Sequence, residues 1–201
     1  LAGPKTVAPT LLTTTDGIIE DASSLQLSKD GKTLYYTTNH GDIDRRHINT
    51  ESDSEVLLNV LAHEIEKTTR GLPLQPADLF AAVRNVHKRV KGSYAVIALI
   101  AGHGVLAFRD PFGIRPLCMG KSADGTVMLA SESVTLEGTS HQFDRNINPG
   151  EAIFIDLQGN VHAKQCADAP TLKPCIFEFV YLARPDSVMD GISVYQARLN
   201  L

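Results

Sequence analysis

Ile48-Asn49-Thr50-Glu51-Ser52-Asp53-Ser54-Glu55-Val56-Leu57-Leu58 is the stretch from which the fold is best predicted. Ser52 followed three residues later by Glu55, just before an apolar run, is a capping-box pattern, in which each side chain binds a backbone N–H group at a helix start. The pattern predicts a helix from Ser52. Asp53 then lies in the first turn, where a carboxylate interacts favourably with the helix dipole and is not needed for the cap. Its carboxylate is therefore a candidate ligand for a cationic group.

Two helices followed by strands are predicted after this start. Apolar residues recur at helical spacing to about Thr69, and Gly71-Leu72-Pro73 ends the first helix. Pro76 suits the first turn of a second helix, which is amphipathic through about Val90. Beyond Gly92, short β-rich runs predict strands at Tyr94 to Ala101, Val105 to Arg109, Arg115 to Gly120, Val127 to Ser131, Glu151 to Leu157 and Val161 to Gln165. Consecutive hairpins after two helices predict an α+β domain with an antiparallel sheet.

The first 47 residues have a different pattern. Residues 23–28 alternate polar and apolar, Lys29-Asp30-Gly31-Lys32 is a hairpin-type turn, and residues 33–39 form a second β-rich run. This predicts a β-hairpin. The segment resembles one blade segment of the β-propeller in prolyl-oligopeptidase-type peptidases, and a single blade cannot bury a propeller core.

Composition and charge exclude several classes of protein. The chain has 201 residues, of which 43% are hydrophobic and 21% charged, as expected for one globular domain. A net charge of −4 supplies no basic surface for nucleic acid, so we predict no nucleic-acid partner. No apolar run of 18 residues is present, and the N-terminus lacks the layout of a signal peptide. We therefore expect no membrane partner and a cytoplasmic location.

The three cysteines, Cys118, Cys166 and Cys175, predict neither a disulfide framework nor a zinc site. Their number is odd and no two of them have C-x-x-C spacing. We expect reduced thiols and no metal site within this chain.

Several ordered motifs between residues 45 and 201 resemble one family. They are Arg45 to Thr50, Ser52-Asp53-Ser54-Glu55, Phe108 to Leu117, Ala130-Ser131-Glu132-Ser133, Pro149-Gly150-Glu151-Ala152, Pro174 to Ser187 and Asp190 to Tyr195. Together they are similar to the glutaminase domain of the amidophosphoribosyltransferases and its passage into their phosphoribosyltransferase domain. The shorter pattern R-D-x-x-G-x-x-P-L is common to class II glutamine amidotransferases. A fragment of another class II enzyme is the alternative, and a propeller-type binding module, supported by residues 1–47 alone, is a third.

The resemblance implies a fold and a division of the chain. The family has the αββα layered sandwich of N-terminal-nucleophile hydrolases, which would be incomplete here. Residues 48–201 would be a partial glutaminase domain, ending at the start of the phosphoribosyltransferase domain. Residues 1–47 would be a hairpin foreign to the family, and our hypothesis is a chimeric junction near residues 44–48, as in a misassembled or recombined reading frame.

The resemblance also implies roles for individual residues. Asp53 stands where the family binds the α-ammonium group of glutamine, so we expect it to bind glutamine weakly. Arg109 and Arg115 flank a hairpin whose role in the family is mostly architectural. Tyr181 is a candidate for interdomain contact. Some members use a cysteine at the position of Cys175 in an iron–sulfur cluster, which we do not expect here because its other ligands would lie beyond residue 201.

The resemblance implies a reaction that this chain is expected not to perform. The complete enzymes transfer the amide nitrogen of glutamine to phosphoribosylpyrophosphate, giving 5-phosphoribosylamine for de novo purine (IMP) biosynthesis, with Mg²⁺ and as homo-oligomers. They attack glutamine with an N-terminal Cys-Gly-Ile cysteine and stabilise the oxyanion with an Asn-Gly pair. Neither segment occurs in the 201 residues. We therefore assign no catalytic residue and expect the chain alone to be inactive.

Overall fold

The structure is a computed structural model, which describes residues 52–69 and 71–200 in full. It also describes the backbone of four strands, at residues 18–19, 24–27, 33–37 and 43–47. The chain divides into two compact units, Leu1–Gly92 and Ser93–Leu201.

The first unit contains two small antiparallel sheets, one of which includes the predicted hairpin. Their strands are β1 (Ile18–Ile19), β2 (Ser24–Leu27), β3 (Thr33–Thr37), β4 (Ile43–His47) and β5 (Val90–Lys91). Strands β2, β3 and β4 pair in that order, which confirms the hairpin between β2 and β3, and β1 pairs with β5. The predicted junction at residues 44–48 overlaps β4, and the division between units falls later, at Gly92. The domain boundary near residue 47 stays a prediction.

The same unit contains the two predicted helices, α1 (Asp53–Thr69) and α2 (Pro76–Arg89). Both agree with the sequence prediction because helical periodicity and end signals are local properties of the chain. Asp78 stabilises the start of α2, where the backbone N–H of Gln75 donates to its Oδ2 at 2.9 Å. No helix in the fully described ranges is both long and apolar enough to cross a bilayer.

A buried polar contact joins the two helices. Glu64, which is 2% exposed, accepts a hydrogen bond from Asn85 Nδ2 at 2.8 Å and forms an ion pair with Arg89. A buried charge is tolerated only when it is paired and hydrogen-bonded. Glu64 and its partners therefore align α1 with α2, in addition to the apolar residues Val60, Leu61, Leu79, Val83 and Val86.

The second unit is built on two antiparallel sheets. Its strands are β6 (Ala95–Ile100), β7 (Gly104–Arg109), β8 (Cys118–Lys121), β9 (Val127–Ala130), β10 (Gln142–Asn146), β11 (Glu151–Asp156) and β12 (Val161–Gln165). One sheet has the order β12-β11-β7-β6 and the other β10-β8-β9. Ala107 and Ile153 of the first sheet share one apolar cluster with Met119 of the second. The sheets therefore pack against each other through this core.

The C-terminal part of this unit consists of short elements. They are α3 (Ser133–Gly138), a π-helix (Glu178–Leu182), β13 (Val188–Met189), β14 (Ile192–Ser193) and α4 (Val194–Leu199). Asp190 and Gly191 connect β13 to β14 with φ values of 48° and 81°. Positive φ at both positions is typical of a type I′ hairpin turn, for which Asp-Gly is a preferred sequence.

Gly150 provides a test of the packing between β11 and the chain after β12. It has φ +70°, and a Cβ atom there would lie 2.3 Å from the Cβ of Ala167. Gly125 also has a positive φ, +88°, but a Cβ there would meet no heavy atom within 4 Å. Gly125→Ala should therefore lose about 1 kcal/mol of unfolding free energy from backbone strain alone. Gly150→Ala should lose about 1–3 kcal/mol more from the clash.

Urea unfolding followed by far-UV circular dichroism measures both variants against the parent chain. Equal losses in the two variants would contradict the close approach of Gly150 to Ala167.

Candidate functional site

Asp53 is the first residue of α1, and its side chain is exposed. The backbone N–H of Ser54 donates to Ser52 Oγ at 3.3 Å, so Ser52 caps the helix as the sequence predicts. The Asp53 carboxylate takes no part in this cap. It accepts a long hydrogen bond of 3.4 Å from Ser54 Oγ. A carboxylate at a helix start can therefore face a cationic group here. Its role as a glutamine ligand stays a prediction.

The hairpin that follows β7 is held by a buried carboxylate. Asp110, which is fully buried, accepts backbone N–H groups from Phe112 at 2.9 Å, from Ile114 at 3.0 Å and from Arg115 at 3.2 Å. Burial, and then the nearby charge of Asp110, raise the pKa of Tyr94 well above its usual value. The motif R-D-P-F-G-I-R-P-L is thus a rigid turn rather than an open loop.

Arg109 has all of its guanidinium hydrogen atoms engaged. Two N–H groups donate to the carboxylate of Asp190, at 2.8 and 2.7 Å. The other three donate to the backbone carbonyls of Arg115 at 2.6 Å, Ile147 at 2.8 Å and Gly113 at 2.7 Å. A guanidinium has five N–H donors, so none is left for a ligand. Arg109 is also only 1% exposed, so its surroundings fit the structural role predicted for it.

Another motif, Ala130-Ser131-Glu132-Ser133, binds the C-terminal elements in a similar way. Glu132 Oε2 accepts the backbone N–H of Arg184 and the hydroxyl of Ser187, both at 2.8 Å. Ser133 Oγ accepts the backbone N–H of Val188 at 2.8 Å. The A-S-E-S motif therefore fastens the chain that enters β13. The sequence did not reveal these contacts, because the residues of each bonded pair lie more than 50 positions apart in the chain.

Arg115 and Glu178 form a further connection to the C-terminal elements. Arg115 Nη1 lies 2.8 Å from Glu178 Oε1, and this hydrogen bond raises the pKa of the arginine. Arg115 is partly exposed, whereas Glu178 is largely buried at the start of the π-helix. Two arginines of one hairpin thus reach different C-terminal elements. Arg115 reaches the π-helix, and Arg109 reaches the β13–β14 turn.

The P-G-E motif supports the start of β11. Glu151 accepts two hydrogen bonds from Arg145, at 2.9 and 2.7 Å, and one from the backbone N–H of Asn148 at 2.8 Å. Such a bidentate pair fixes both side chains in a plane. The motif is therefore structural in this chain as well.

Tyr181 lies on the π-helix and is 64% exposed. Its ring contacts that of Phe177, with 5.8 Å between the centroids. Phe177, Ile176 and Val180 are also exposed. Residues 176–181 therefore expose several apolar side chains, of which Phe177 contacts Tyr181. Interdomain contact by Tyr181 stays a prediction.

The three cysteines are free thiols, and two of them are buried. Burial raises the pKa of Cys118 to about 11, and its thiol donates to the carbonyl of Ala130. The Cys166 thiol lies near the carbonyl of Lys164, and Cys175 is partly buried. Among the described residues, no three of His, Cys, Asp or Glu could hold a metal ion. The further ligands of the cluster found in some family members would lie beyond residue 201, so its absence here stays a prediction.

The fold and these motifs define a class of protein. Residues 18–138 match the family model of the glutamine amidotransferase domain, and this range includes both sides of the predicted boundary near residue 47. The chain belongs to the glutamine amidotransferase domain family.

Its relatives within that family share one name. The chain is 52% identical over 160 residues to the amidophosphoribosyltransferase of Pasteurella multocida and 50% over 161 residues to that of Escherichia coli. Each match covers 78% of this chain and 32% of the relative. The amidophosphoribosyltransferase of Archaeoglobus fulgidus is 32% identical over 179 residues, which cover 88% of this chain and 37% of the relative. The chain thus spans about a third of the length of the curated relatives it matches.

A solved structure agrees with these matches. The glutamine phosphoribosylpyrophosphate amidotransferase of B. subtilis, in complex with ADP and GMP, is 26% identical, with a TM-score of 0.62. The match covers 88% of this chain and 38% of that chain. The predicted α+β class, of the N-terminal-nucleophile hydrolase type, is confirmed.

Proposed function

We propose that this chain is the glutaminase part of an amidophosphoribosyltransferase. The complete enzyme would transfer the amide nitrogen of glutamine to phosphoribosylpyrophosphate, giving 5-phosphoribosylamine in de novo purine biosynthesis. The observation that carries the proposal is the identity of about half of the residues, over 78% of this chain, to relatives of that name. The share of this chain in the reaction would be glutamine binding rather than bond breaking.

The described contacts support a division of labour among the motifs. Asp53 would bind the α-ammonium group of glutamine, since a carboxylate and an ammonium form a charge-assisted hydrogen bond. One such bond contributes about 1.5–3 kcal/mol, which is less than millimolar affinity requires, so glutamine binding to the isolated chain would be weak. Arg109 and Glu132 would hold the C-terminal elements in place. Tyr181 and its apolar neighbours would face the acceptor domain.

Further properties of the complete enzyme belong to the proposal too. It would act in the cytoplasm, as a homo-oligomer, with phosphoribosylpyrophosphate as second substrate and no nucleic-acid or membrane partner. Mg²⁺ would serve its acceptor reaction, since Mg²⁺ is commonly bound together with substrate phosphates. The described residues of this chain offer no donor set that fits the ion.

A chimeric enzyme tests the proposal. Residues 52–200 of this chain would replace the matching part of the Escherichia coli relative, whose own nucleophile and acceptor domain are kept. We expect pyrophosphate release that depends on glutamine. Asp53→Asn should lower kcat/KM for glutamine about 10- to 100-fold, because it removes one charge-assisted contact. Activity with free ammonia should stay unchanged, since ammonia needs no glutamine site.

Glu66→Gln is the matched control, because Glu66 is another exposed acid of the same helix. It should leave both activities unchanged. A chimera with ammonia-driven activity but no glutamine-driven activity would count against the proposed function. Equal effects of Asp53→Asn and Glu66→Gln would count against the role of Asp53 alone.

A further inference from the structure

The π-helix at Glu178–Leu182 ends with a hydrogen bond that an α-helix would not make. The backbone N–H of Ala183 donates to the carbonyl of Glu178, five residues back, at 2.9 Å. In an α-helix the same N–H group would donate to the carbonyl of Phe179, four residues back. Turns of the π type are rare and frequently lie at functional sites. A contact outside the turn must therefore favour it over the α-helical one.

Arg198, on α4, makes such a contact. Its Nε donates to the carbonyl of Phe179 and its Nη2 to the carbonyl of Ala183, both at 2.6 Å. The carbonyl of Phe179 is the acceptor that an α-helical turn would need for the N–H of Ala183. Because a guanidinium is charged and holds its N–H groups in a fixed fork, it competes well for backbone carbonyls. Arg198 thus occupies the acceptor of the competing turn.

The type of turn decides where the exposed side of the π-helix points. Phe179 is 8% exposed and packs in an apolar cluster with Val194 of α4, so this side of the π-helix is fixed. Tyr181, two residues later, is 64% exposed. Since α and π turns differ in the number of residues that each hydrogen bond encloses, a change of turn rotates Tyr181 relative to Phe179.

We propose that Arg198 is a positioning residue, which selects the π-helical turn and thereby sets the direction of Tyr181. Without the guanidinium, the carbonyl of Phe179 accepts the N–H of Ala183, and the turn becomes α-helical. In the complete enzyme, Tyr181 then meets the acceptor domain in a different direction. This last consequence rests on the proposed function, whereas the selection of the turn does not.

NMR spectroscopy of the full 201-residue chain, isotope-labelled, tests the selection of the turn. Scalar coupling across the hydrogen bond identifies the carbonyl that accepts the N–H of Ala183. We expect Glu178 as the acceptor in the parent chain and Phe179 in Arg198→Met. Gln196→Met is the matched control, because Gln196 is an exposed residue of the same helix. It should leave Glu178 as the acceptor.

Two results would overturn the selection of the turn. One is an unchanged acceptor in Arg198→Met. The other is loss of both couplings, which would show that Arg198 only holds the segment together. If Arg198→Met does not fold by circular dichroism, Arg198→Lys decides instead. Lysine keeps the charge and the aliphatic stem but not the fork, so Glu178 and Phe179 should share the N–H of Ala183 in that variant.

The chimeric enzyme tests the consequence for the reaction. Arg198→Met should lower pyrophosphate release about tenfold relative to glutamate release, because a misplacement of about 1 Å can cost up to about 100-fold in rate. A chimera that is inactive with glutamine would count against the proposed function, and the NMR result would still decide the selection of the turn. An active chimera whose ratio of pyrophosphate to glutamate does not change in Arg198→Met would overturn the role of Arg198 toward the acceptor domain.

Discussion

Purified and incubated with glutamine, the 201-residue chain is expected to release no glutamate above the buffer blank. Glutaminase chemistry needs an accessible thiolate and a base beside it. Cys118 is buried with a pKa raised to about 11 by that burial, so it stays a thiol at neutral pH. Cys166 is buried too. Loss of the nucleophile from a cooperating catalytic set lowers the rate by about a million-fold.

The Escherichia coli amidophosphoribosyltransferase, assayed in parallel, shows that the assay detects turnover. Release of pyrophosphate from phosphoribosylpyrophosphate should likewise be absent for the chain alone. Glutamate release above the blank would contradict the expectation and direct attention to Cys175, the cysteine that is not fully buried. Loss of that activity in Cys175→Ser, but not in Cys118→Ala, would identify it as the nucleophile.

The helices and most strands could be predicted because their signals are local. The start and end of α1 follow from Ser52 and from Gly71-Leu72-Pro73, and Pro76 marks the first turn of α2. Strand β7 follows from a run of apolar residues that are almost all buried. Each signal depends on residues a few positions apart, so no knowledge of the tertiary structure is needed.

Strand β10 shows why other elements could not be predicted. Its sequence, Gln142-Phe143-Asp144-Arg145-Asn146, has no clear alternation of apolar residues and favours a loop. It is a strand because it pairs with β8, and one bulge accommodates its irregular register. Glu64 is a second case. A charged residue at a core position of α1 is explained only by Asn85 and Arg89, more than 20 residues away.

The candidate site also has a part that local sequence signals predict and a part that depends on distant partners. The position of Asp53 follows from the capping pattern of its own helix, and the structure places it there. The bond from Arg109 to Asp190 spans 81 residues and depends on a hairpin turn that the sequence analysis did not predict. Sequence reasoning therefore located the motifs but not the contacts between them. Asp190-Gly191 was the available signal, since this pair is typical of a tight hairpin.

Replacing Arg109 by methionine should destabilise the chain more than any other change considered. Methionine is unbranched and apolar, so it fills part of the space but donates no hydrogen bond. The Asp190 carboxylate, whose side chain is only 9% exposed, would lose its cationic partner. Three backbone carbonyls would lose their donors as well. Removing one partner of a buried ion pair lowers the free energy of unfolding by about 3–5 kcal/mol. The urea concentration at the midpoint of unfolding should therefore be much lower than for the parent chain.

Arg184→Met is the matched control, because it removes an arginine from an ion pair in the same unit. Arg184 and Asp186 lie 2.8 Å apart, but their side chains are 67% and 50% exposed. Exposed pairs contribute little to stability because water screens them. The urea midpoint of Arg184→Met should therefore equal that of the parent chain within error.

A double variant separates the buried charge from lost packing. Asp190→Asn keeps a side chain that tolerates the positive φ of this turn but removes the charge. Arg109→Met combined with Asp190→Asn should therefore lose less stability than the two single losses added together, by at least about 1 kcal/mol. Strict additivity would show that the ion pair does not couple the two hairpins. A loss below about 1 kcal/mol for Arg109→Met alone would show that Asp190 finds another partner or reaches water.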